Sequence, residues 1–227
     1  MRLSARSAVY AAVAYISTFG ILLVILTRYT IVYGIDGLYY LIQLRNLVSE
    51  GMIKYPDPPL TYYLLLPFYL TSPDGNFGLK LAVAFYGGLT ALVLYLCFRR
   101  LGDFSGLTAA FTFVVSPFTL RLANDFIKNY VSILFIAIFI YSLINVRDHR
   151  RAIAYSSAAA LATALSHVLS FGVLALFSLM ISFLSLMMPI TRSSLKKASA
   201  SAAVLSLIHI SEPTRPLYIS YAVFCLK

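Results

Sequence analysis

The sequence predicts an all-α, polytopic helical membrane protein. Of its 227 residues, 60% are hydrophobic and only 11% are charged, whereas soluble domains carry about 25% charged residues. Apolar stretches approaching the roughly 20 residues that a transmembrane helix needs recur along the chain. The net charge of +10 is concentrated between these stretches, where basic residues set membrane orientation. The composition therefore indicates a lipid bilayer, and no nucleic acid, as the partner.

Six complete membrane spans and the start of a seventh are expected. The first covers residues 8–27, and Arg2 and Arg6 before it place the N-terminus in the cytoplasm. The others are expected at residues 77–98, 104–115, 130–146, 152–165 and 169–188, with the seventh beginning near residue 198. This count leaves the basic clusters at residues 99–100, 147–151 and 192–197 on the cytoplasmic side, as the positive-inside rule requires.

An outer loop at residues 28–76 separates the first two spans. Asp36 stands before an expected amphipathic helix that Gly51 is well placed to end. The polar stripe of this helix is predicted to contain Tyr39, Gln43, Asn46 and Glu50, and the apolar stripe Leu41, Leu44, Leu47 and Val48. Prolines at 56, 58 and 59 enforce an extended segment after the helix. Residues 60–70 are too short to span a membrane and are predicted to form a juxtamembrane or re-entrant helix.

Acidic residues are concentrated on the predicted outer face. The whole chain has only 8 acids, and the topology places most of them outside: Asp36, Glu50, Asp57, Asp74 and Asp125. The same face is expected to receive Arg121, Lys128 and His167 from later helices. Chemistry on this chain is therefore expected at the outer ends of the spans.

The C-terminal residues 205–227 look like translated sequencing-adapter read-through. Nearly every residue of this segment, which begins Leu-Ser-Leu-Ile-His-Ile-Ser-Glu-Pro-Thr-Arg, fits that interpretation. We therefore expect a non-native tail after a transmembrane module at residues 1–204. The gene would then be interrupted inside a helix, and we expect such a fragment to be inactive.

The order of these parts resembles the GT-C membrane glycosyltransferases, which use lipid-phosphate-linked sugars. The family includes protein O-mannosyltransferases, aminoarabinose transferases and oligosaccharyltransferase catalytic subunits. The matching features are the acid in Gly-Ile-Asp36-Gly-Leu-Tyr-Tyr, the Pro-Pro-Leu entry to a juxtamembrane helix, and the short span ending in Ser-Pro before Arg121 and Asp125. The chain has Asn124-Asp125 where the oligosaccharyltransferase branch has an Asp-x-Asp pair. A divalent metal, Mg²⁺ or Mn²⁺, is therefore left open as a cofactor, with no metal ligands assigned.

The resemblance implies transfer of a hexosyl or pentosyl group from a polyprenyl- or dolichyl-phosphate-linked donor to an acceptor on the outer face of the cell membrane. Asp36 and Asp125 are the implied catalytic residues. Five side chains are candidates for binding substrate. Arg121 matches the family's position, Lys128 lies at the outer interface, His167 lies at the outer end of two helices, and Tyr39 and Tyr40 are rings that can stack on a sugar. Transfer to a hydroxyl needs a base for the acceptor proton and a cationic environment for the departing lipid phosphate.

Simpler interpretations remain open for each of these residues. Asp36 directly precedes a helix and is equally explained as an N-cap, which stabilises by about 1 kcal/mol. Asp125 fits an ion pair with a nearby cation, and Lys128 fits ordinary interfacial snorkelling. His167 fits an interfacial hydrogen bond, and the tyrosines fit an aromatic belt.

Two other classes of function compete with the enzyme. A transporter or lipid flippase would carry ionisable residues near the middle of broken helices, whereas these charges gather at the ends of spans. An assembly subunit would keep the fold without the catalysis. A scattered placement of Asp36, Asp125 and Arg121 in the fold would exclude a shared site.

Overall fold

A computed structural model describes residues 4–32, 34 and 36–187 of the chain. The predicted tail and the start of a seventh span lie outside these residues. The described part is helical and contains no strand, which confirms the all-α class. Its α-helices are α1 (Ala5–Leu26), α2 (Gly37–Glu50), α3 (Leu60–Thr71), α4 (Gly75–Phe98), α5 (Asp103–Val115), α6 (Pro117–Asp125), α7 (Ile127–Asn145), α8 (His149–Ser166) and α9 (Val168–Met187).

By length and hydropathy, fewer helices in the described residues could cross a membrane than the six spans expected. Three helical segments are long and apolar enough to cross a membrane, namely Ala5–Leu26, Gly75–Leu101 and Ile127–Asn145. Helices α5 and α6 together would make a fourth, bent by 53°. Helix α5 stops after 13 residues because Pro117 disfavours helical backbone at Ser116. Helix α8 begins with His149, Arg150 and Arg151, which lower its hydropathy.

Helix α4 is the centre of the bundle and packs against α1, α3, α5 and α7. Helix α7 also packs against α8, which in turn contacts α9. Small side chains on α8 that are buried in the bundle, Ala152, Ala159 and Ala160, permit close helix packing. Helix α7 thus contacts α4 as well as both helices of the α8–α9 pair.

The loop helices α2 and α3 belong to the main core. The core cluster includes Tyr40 and Leu44 from α2 and Tyr62 and Leu65 from α3, together with side chains of α4 and α7. Helix α3 has 12 residues, about 18 Å at 1.5 Å per residue. It is too short to span a membrane, as predicted. Helix α2 ends at Gly51 with φ 74°, also as predicted.

The predicted polar stripe of α2 is wrong at Gln43. This side chain is fully buried with Tyr40, Leu44 and Leu47, while Val48 from the predicted apolar stripe is half exposed. Gln43 tolerates burial because its amide is satisfied by Tyr55, donating to the carbonyl oxygen at 3.0 Å and accepting from the backbone N–H at 3.0 Å. Periodicity alone could not reveal these two partners.

The connection between α1 and α2 is tied to the first turns of α4. The backbone N–H of Val32 donates to Oδ1 of Asn76 at 2.6 Å, and the ammonium group of Lys80 donates to the carbonyl oxygen of Thr30 at 3.1 Å. These bonds hold the segment leading to Asp36 beside the entry to α4.

Candidate functional site

The candidate site lies at one end of the bundle, where five segments meet. They are the start of α2, the extended segment before α3, the end of α6, the start of α7 and the junction of α8 with α9. The side chains that define it here, called the acid–lysine cluster, are Asp36, Asp57, Asp125, Lys128 and His167.

Asp36 occupies the N-cap position of α2, but its side chain makes no capping hydrogen bond. Its backbone carbonyl accepts the first helical bond, from Tyr40 N–H at 3.2 Å. Burial raises the pKa of the Asp36 carboxyl, as do the nearby charges of Asp125 and Asp57, while Lys128 lowers it. The carboxyl is therefore available for a role other than capping.

Gly34 brings the segment before Asp36 against the end of α6. Its φ is 115°, a conformation that glycine adopts readily and other residues avoid. A Cβ at this position would lie 2.2 Å from the carbonyl oxygen of Asn124 and 2.7 Å from Oδ1 of Asp125. Only glycine permits this approach, which places Asp125 beside the Asp36 segment.

Lys128 forms an ion pair with Asp57. The side chains are only 15% and 12% exposed, respectively. The same carboxylate oxygen of Asp57 also accepts hydrogen bonds from the hydroxyls of Tyr62 at 2.6 Å and Tyr39 at 3.1 Å. Lys128 is thus held in a fixed, largely buried position, and the snorkelling interpretation does not describe it.

Two tyrosines of α2 contact Lys128. The ammonium group of Lys128 lies 5.8 Å from the centre of the Tyr39 ring, within the range of a cation–π interaction. The hydroxyl of Tyr40 accepts a hydrogen bond from the backbone N–H of Lys128 at 3.2 Å. Tyr40 is only 1% exposed, so in this conformation it positions α7 and presents no face to a sugar. Tyr39 is partly exposed and stacks on Tyr55 with ring centres 6.0 Å apart.

His167 joins the cluster from the junction between α8 and α9. Its Nδ1 accepts a hydrogen bond from the backbone N–H of Ser170 at 3.2 Å, so the neutral ring carries its proton on Nε2. Burial lowers the pKa of His167, Lys128 lowers it further, and Asp57 opposes both. A neutral imidazole is therefore favoured beside the ion pair.

Arg121 and Asp125 form the exposed edge of the site. Nε of Arg121 lies 3.5 Å from Oδ2 of Asp125, one helical turn away, and the side chains are 69% and 17% exposed, respectively. This pair matches one of the structural interpretations of Asp125. The ion pair engages Nε of an exposed side chain, so the terminal N–H groups of Arg121 are accessible to an anion.

All seven residues predicted for the site lie in the acid–lysine cluster or contact a member of it: Asp36, Tyr39, Tyr40, Arg121, Asp125, Lys128 and His167. Asp57, Tyr62 and Gln43 complete the arrangement but were not predicted as site residues. The sequence feature that could have indicated a site residue is Asp57, an acid between two prolines that directly precedes the Pro59-Leu60 start of α3. Its partner is distant in sequence, so local spacing gave no indication of its role.

The arrangement combines a carboxyl of raised pKa, a fixed ammonium group and an accessible guanidinium. A carboxylate can accept a proton, and the two cations can hold phosphate oxygens. Within the described residues, no three His, Cys, Asp or Glu side chains form a group that could hold a metal ion. The residues present thus do not fit a metal centre, and no chemical step is assigned to one.

Comparison with known families matches residues 56–214, more than half of the chain, to the family described as dolichyl-phosphate-mannose-protein mannosyltransferase. The matched range begins at the Pro56–Pro59 segment, includes α3 through α9, and extends into the segment interpreted as a tail. No curated protein and no solved structure matches the chain.

Proposed function

We propose, because the chain belongs to the dolichyl-phosphate-mannose-protein mannosyltransferase family, that it transfers a sugar from a polyprenyl- or dolichyl-phosphate-linked donor to a hydroxyl on the outer face of the membrane. Family membership makes the chain a membrane glycosyltransferase of the GT-C type. The proposed donor and reaction rest on one observation about Asp36. Its carboxyl makes no capping hydrogen bond, has a raised pKa and interacts with the charge of Lys128.

Asp36 is the proposed base. A raised pKa makes its carboxylate a stronger proton acceptor than an ordinary surface aspartate. The carboxylate takes the proton from the acceptor hydroxyl, and the acceptor oxygen bonds to the anomeric carbon of the donor. The bond from that carbon to the phosphate oxygen breaks, and its electron pair stays on the lipid phosphate.

Arg121 and Lys128 are the proposed binding groups for that phosphate. Arg121 is accessible and presents planar N–H donors that suit phosphate oxygens. Lys128 supplies a positive charge whose position is set by Asp57 and the Tyr39 ring. Because charge on the phosphate increases as the bond breaks, fixed cations stabilise the transition state more than the bound donor.

Asp125 and His167 have supporting roles in this proposal. Asp125 orients Arg121 through the ion pair and raises the pKa of Asp36 through its own charge. His167, neutral beside Lys128, offers its Nε2–H as a hydrogen-bond donor to the substrate. Tyr39 is the proposed sugar-contacting ring, since aromatic faces pack on the apolar faces of sugars.

The experiment that tests the proposal is done in phosphatidylcholine nanodiscs. It measures the binding of a polyprenyl-phosphate-linked mannose by the chain, and its turnover by the same module joined to the remaining part of a full-length family member. We expect saturable binding and release of labelled mannose to an acceptor or to water. Arg121→Gln should weaken binding, and Asp36→Asn should retain binding while losing turnover. Loss of neither property in these variants would refute the assignment.

The matched control is Arg45→Gln. Arg45 lies on α2 near the cluster in sequence but outside the contacts that define it. Its substitution removes the same charge without touching the site. An equal effect of Arg45→Gln and Arg121→Gln on donor binding would indicate general attraction of an anionic lipid. Binding without any turnover that depends on Asp36 would favour the alternative of a non-enzymatic polytopic membrane protein.

A further inference from the structure

A pocket lined by arginines lies at the opposite end of α7 from the acid–lysine cluster. It is half open to the surroundings where α4 and α7 end and α8 begins, and its volume is about 450 Å³. Lys128 and Asn145 mark the two ends of α7 and are separated by roughly 25 Å at 1.5 Å per residue. The cavity is therefore distinct from the candidate active site.

The charge of the cavity wall is positive. Arg100, Arg147 and Arg151 contribute guanidinium groups, against the single carboxylate of Asp148. That carboxylate accepts the backbone N–H of Arg151 at 2.8 Å as the N-cap of α8. The ion pairs found in the described part of the chain do not include these arginines. Three exposed guanidinium groups thus line one pocket that contains a single carboxylate, so the wall carries an excess of positive charge.

Two hydrogen-bonding features occur among the residues of the wall. The Nδ2 of Asn145 is buried and has no hydrogen-bond partner among the described residues, an arrangement that proteins usually avoid. Arg100 is fixed by a 2.6 Å hydrogen bond from Nη1 to the carbonyl oxygen of Ile144 in the last turn of α7. The remaining N–H groups of this guanidinium keep their donor capacity. The wall accordingly offers three cationic donor groups against one anionic acceptor group, which suits an oxyanion.

The cavity is larger than a bare phosphate ion requires. Pockets of about 300–1,000 Å³ accommodate small organic ligands, and Tyr141 and Tyr155 provide aromatic surface beside the arginines. Helices α4 and α7, whose ends form the wall, are both apolar enough to cross a membrane. Basic pockets between membrane helices suit the headgroups of anionic lipids.

We propose that this cavity binds a phosphate ester, with the arginines contacting the phosphate and the tyrosines the attached organic group. The phosphate comes from an anionic phospholipid headgroup or from a soluble phosphate monoester, which share this recognition chemistry. The site is independent of the glycosyl-transfer proposal and involves none of its residues.

The test measures phosphatidylglycerol binding to the full chain by native mass spectrometry, with phosphatidylcholine as the neutral reference. Losing one arginine contact to a charged group weakens binding by about tenfold or more. We therefore expect Arg147→Gln combined with Arg151→Gln to reduce phosphatidylglycerol binding by at least that factor and to leave phosphatidylcholine binding unchanged. The control is Arg99→Gln, which removes a charge at the same end of the bundle from a residue outside the cavity wall.

Equal losses in Arg99→Gln and in the double variant would overturn the proposal, because they would show attraction to general surface charge. Unchanged phosphatidylglycerol binding in the double variant would overturn it too. Addition of glycerol 1-phosphate distinguishes the two sources of the phosphate. If it displaces the lipid, a soluble phosphate monoester is sufficient for binding to the cavity. If it does not, binding requires the lipid.

A second measurement needs no variant. Phenylglyoxal modifies accessible arginines, and peptide mass spectrometry reports each site. Bound phosphatidylglycerol or glycerol 1-phosphate should protect Arg147 and Arg151 but leave Arg99 reactive. Unaltered modification of Arg147 and Arg151 in the presence of both compounds would contradict the proposal even if the double variant did not fold.

Discussion

Lys128, at the start of α7, and Asp57, in the extended segment before α3, form a largely buried ion pair between residues 71 positions apart in sequence. Two tyrosine hydroxyls donate to the same carboxylate oxygen. The pair connects the loop helices to the central bundle at the end where Asp36, Asp125 and His167 also lie. Its energetics therefore affect the stability of this end of the bundle.

Breaking this pair should destabilise the protein strongly. Removing one partner of a buried ion pair leaves an uncompensated charge and costs about 3–5 kcal/mol. Because Asp57 and Lys128 keep some exposure, we expect Asp57→Asn to fall near the lower end of that range in chemical denaturation.

The double variant Asp57→Asn with Lys128→Gln is the control for this prediction. It removes both charges, so it should recover part of the stability that either single variant loses. Strictly additive losses would show that the two side chains do not interact.

Substitution of Asp36 should separate function from stability. Its folded pKa is raised, so its contribution to stability is present below the unfolded pKa and is lost as the pH rises through the folded value. At neutral pH the ionised carboxylate is thus unfavourable, and Asp36→Asn should not destabilise the fold. Loss of a general base lowers turnover by about 10²–10⁴-fold.

The checking measurements for Asp36→Asn are thermal unfolding at neutral pH and near pH 3, together with turnover of the labelled donor. Any gain in stability of Asp36→Asn over the parent should vanish near pH 3, because the protonated Asp36 carboxyl and the asparagine amide are then both neutral. A loss of about 1 kcal/mol at neutral pH with unchanged turnover would instead match an N-cap role.

The pH dependence of donor turnover should report the surroundings of Asp36. Because burial raises its pKa above the ordinary value of 3.8, the acidic limb of the profile should lie above that pH. Lys128 lowers this pKa, so Lys128→Gln should move the limb to higher pH. A limb that stays in place in this variant would indicate that another group controls it.

Replacement of Gly34 should disturb the site through the backbone. Gly34→Ala forces an alanine into a φ of 115° and brings its Cβ to 2.2 Å from the Asn124 carbonyl. We expect a loss of more than about 1 kcal/mol in stability and a lower turnover, because the Asp36 segment moves away from Asp125.

Gly51→Ala is the matched control, since Gly51 also has positive φ, at 74°, but no atom lies within 4 Å of the added Cβ. It carries only the conformational cost, about 1–2 kcal/mol. Equal effects of the two substitutions on turnover would show that the contact with Asn124 does not matter.

Arg121 should contribute to donor affinity more than to folding. Its ion pair with Asp125 is exposed on the arginine side, and exposed pairs contribute about 0.2–1 kcal/mol. Arg121→Gln should therefore change the unfolding free energy little and weaken donor binding by about tenfold. Arg121→Lys keeps the charge but loses the planar donor geometry, so isothermal titration should find an intermediate affinity. Equal affinity of parent and Arg121→Gln would contradict the phosphate-binding role.

Patterns local in sequence predicted much of this molecule. Apolar composition indicated the all-α membrane class, because hydropathy is a sum over neighbouring residues. The 12-residue helix α3 followed from the short apolar run between proline-rich and Pro-Asp-Gly segments, and the end of α2 followed from Gly51. The sequence also predicted that Asp36, Asp125 and Arg121 lie close together, because the expected topology assigned their loops to the same face of the membrane.

The partners of these residues were decided only by the tertiary structure. Burial and pairing depend on which segments meet, so nothing near Asp57 in sequence indicated Lys128, and nothing near Gln43 indicated that Tyr55 would satisfy its buried amide. The absence of a capping bond at Asp36 is likewise a matter of side-chain geometry. Composition placed the charged residues between apolar helices, while close packing of distant segments determined which charges are neutralised and which remain available for chemistry.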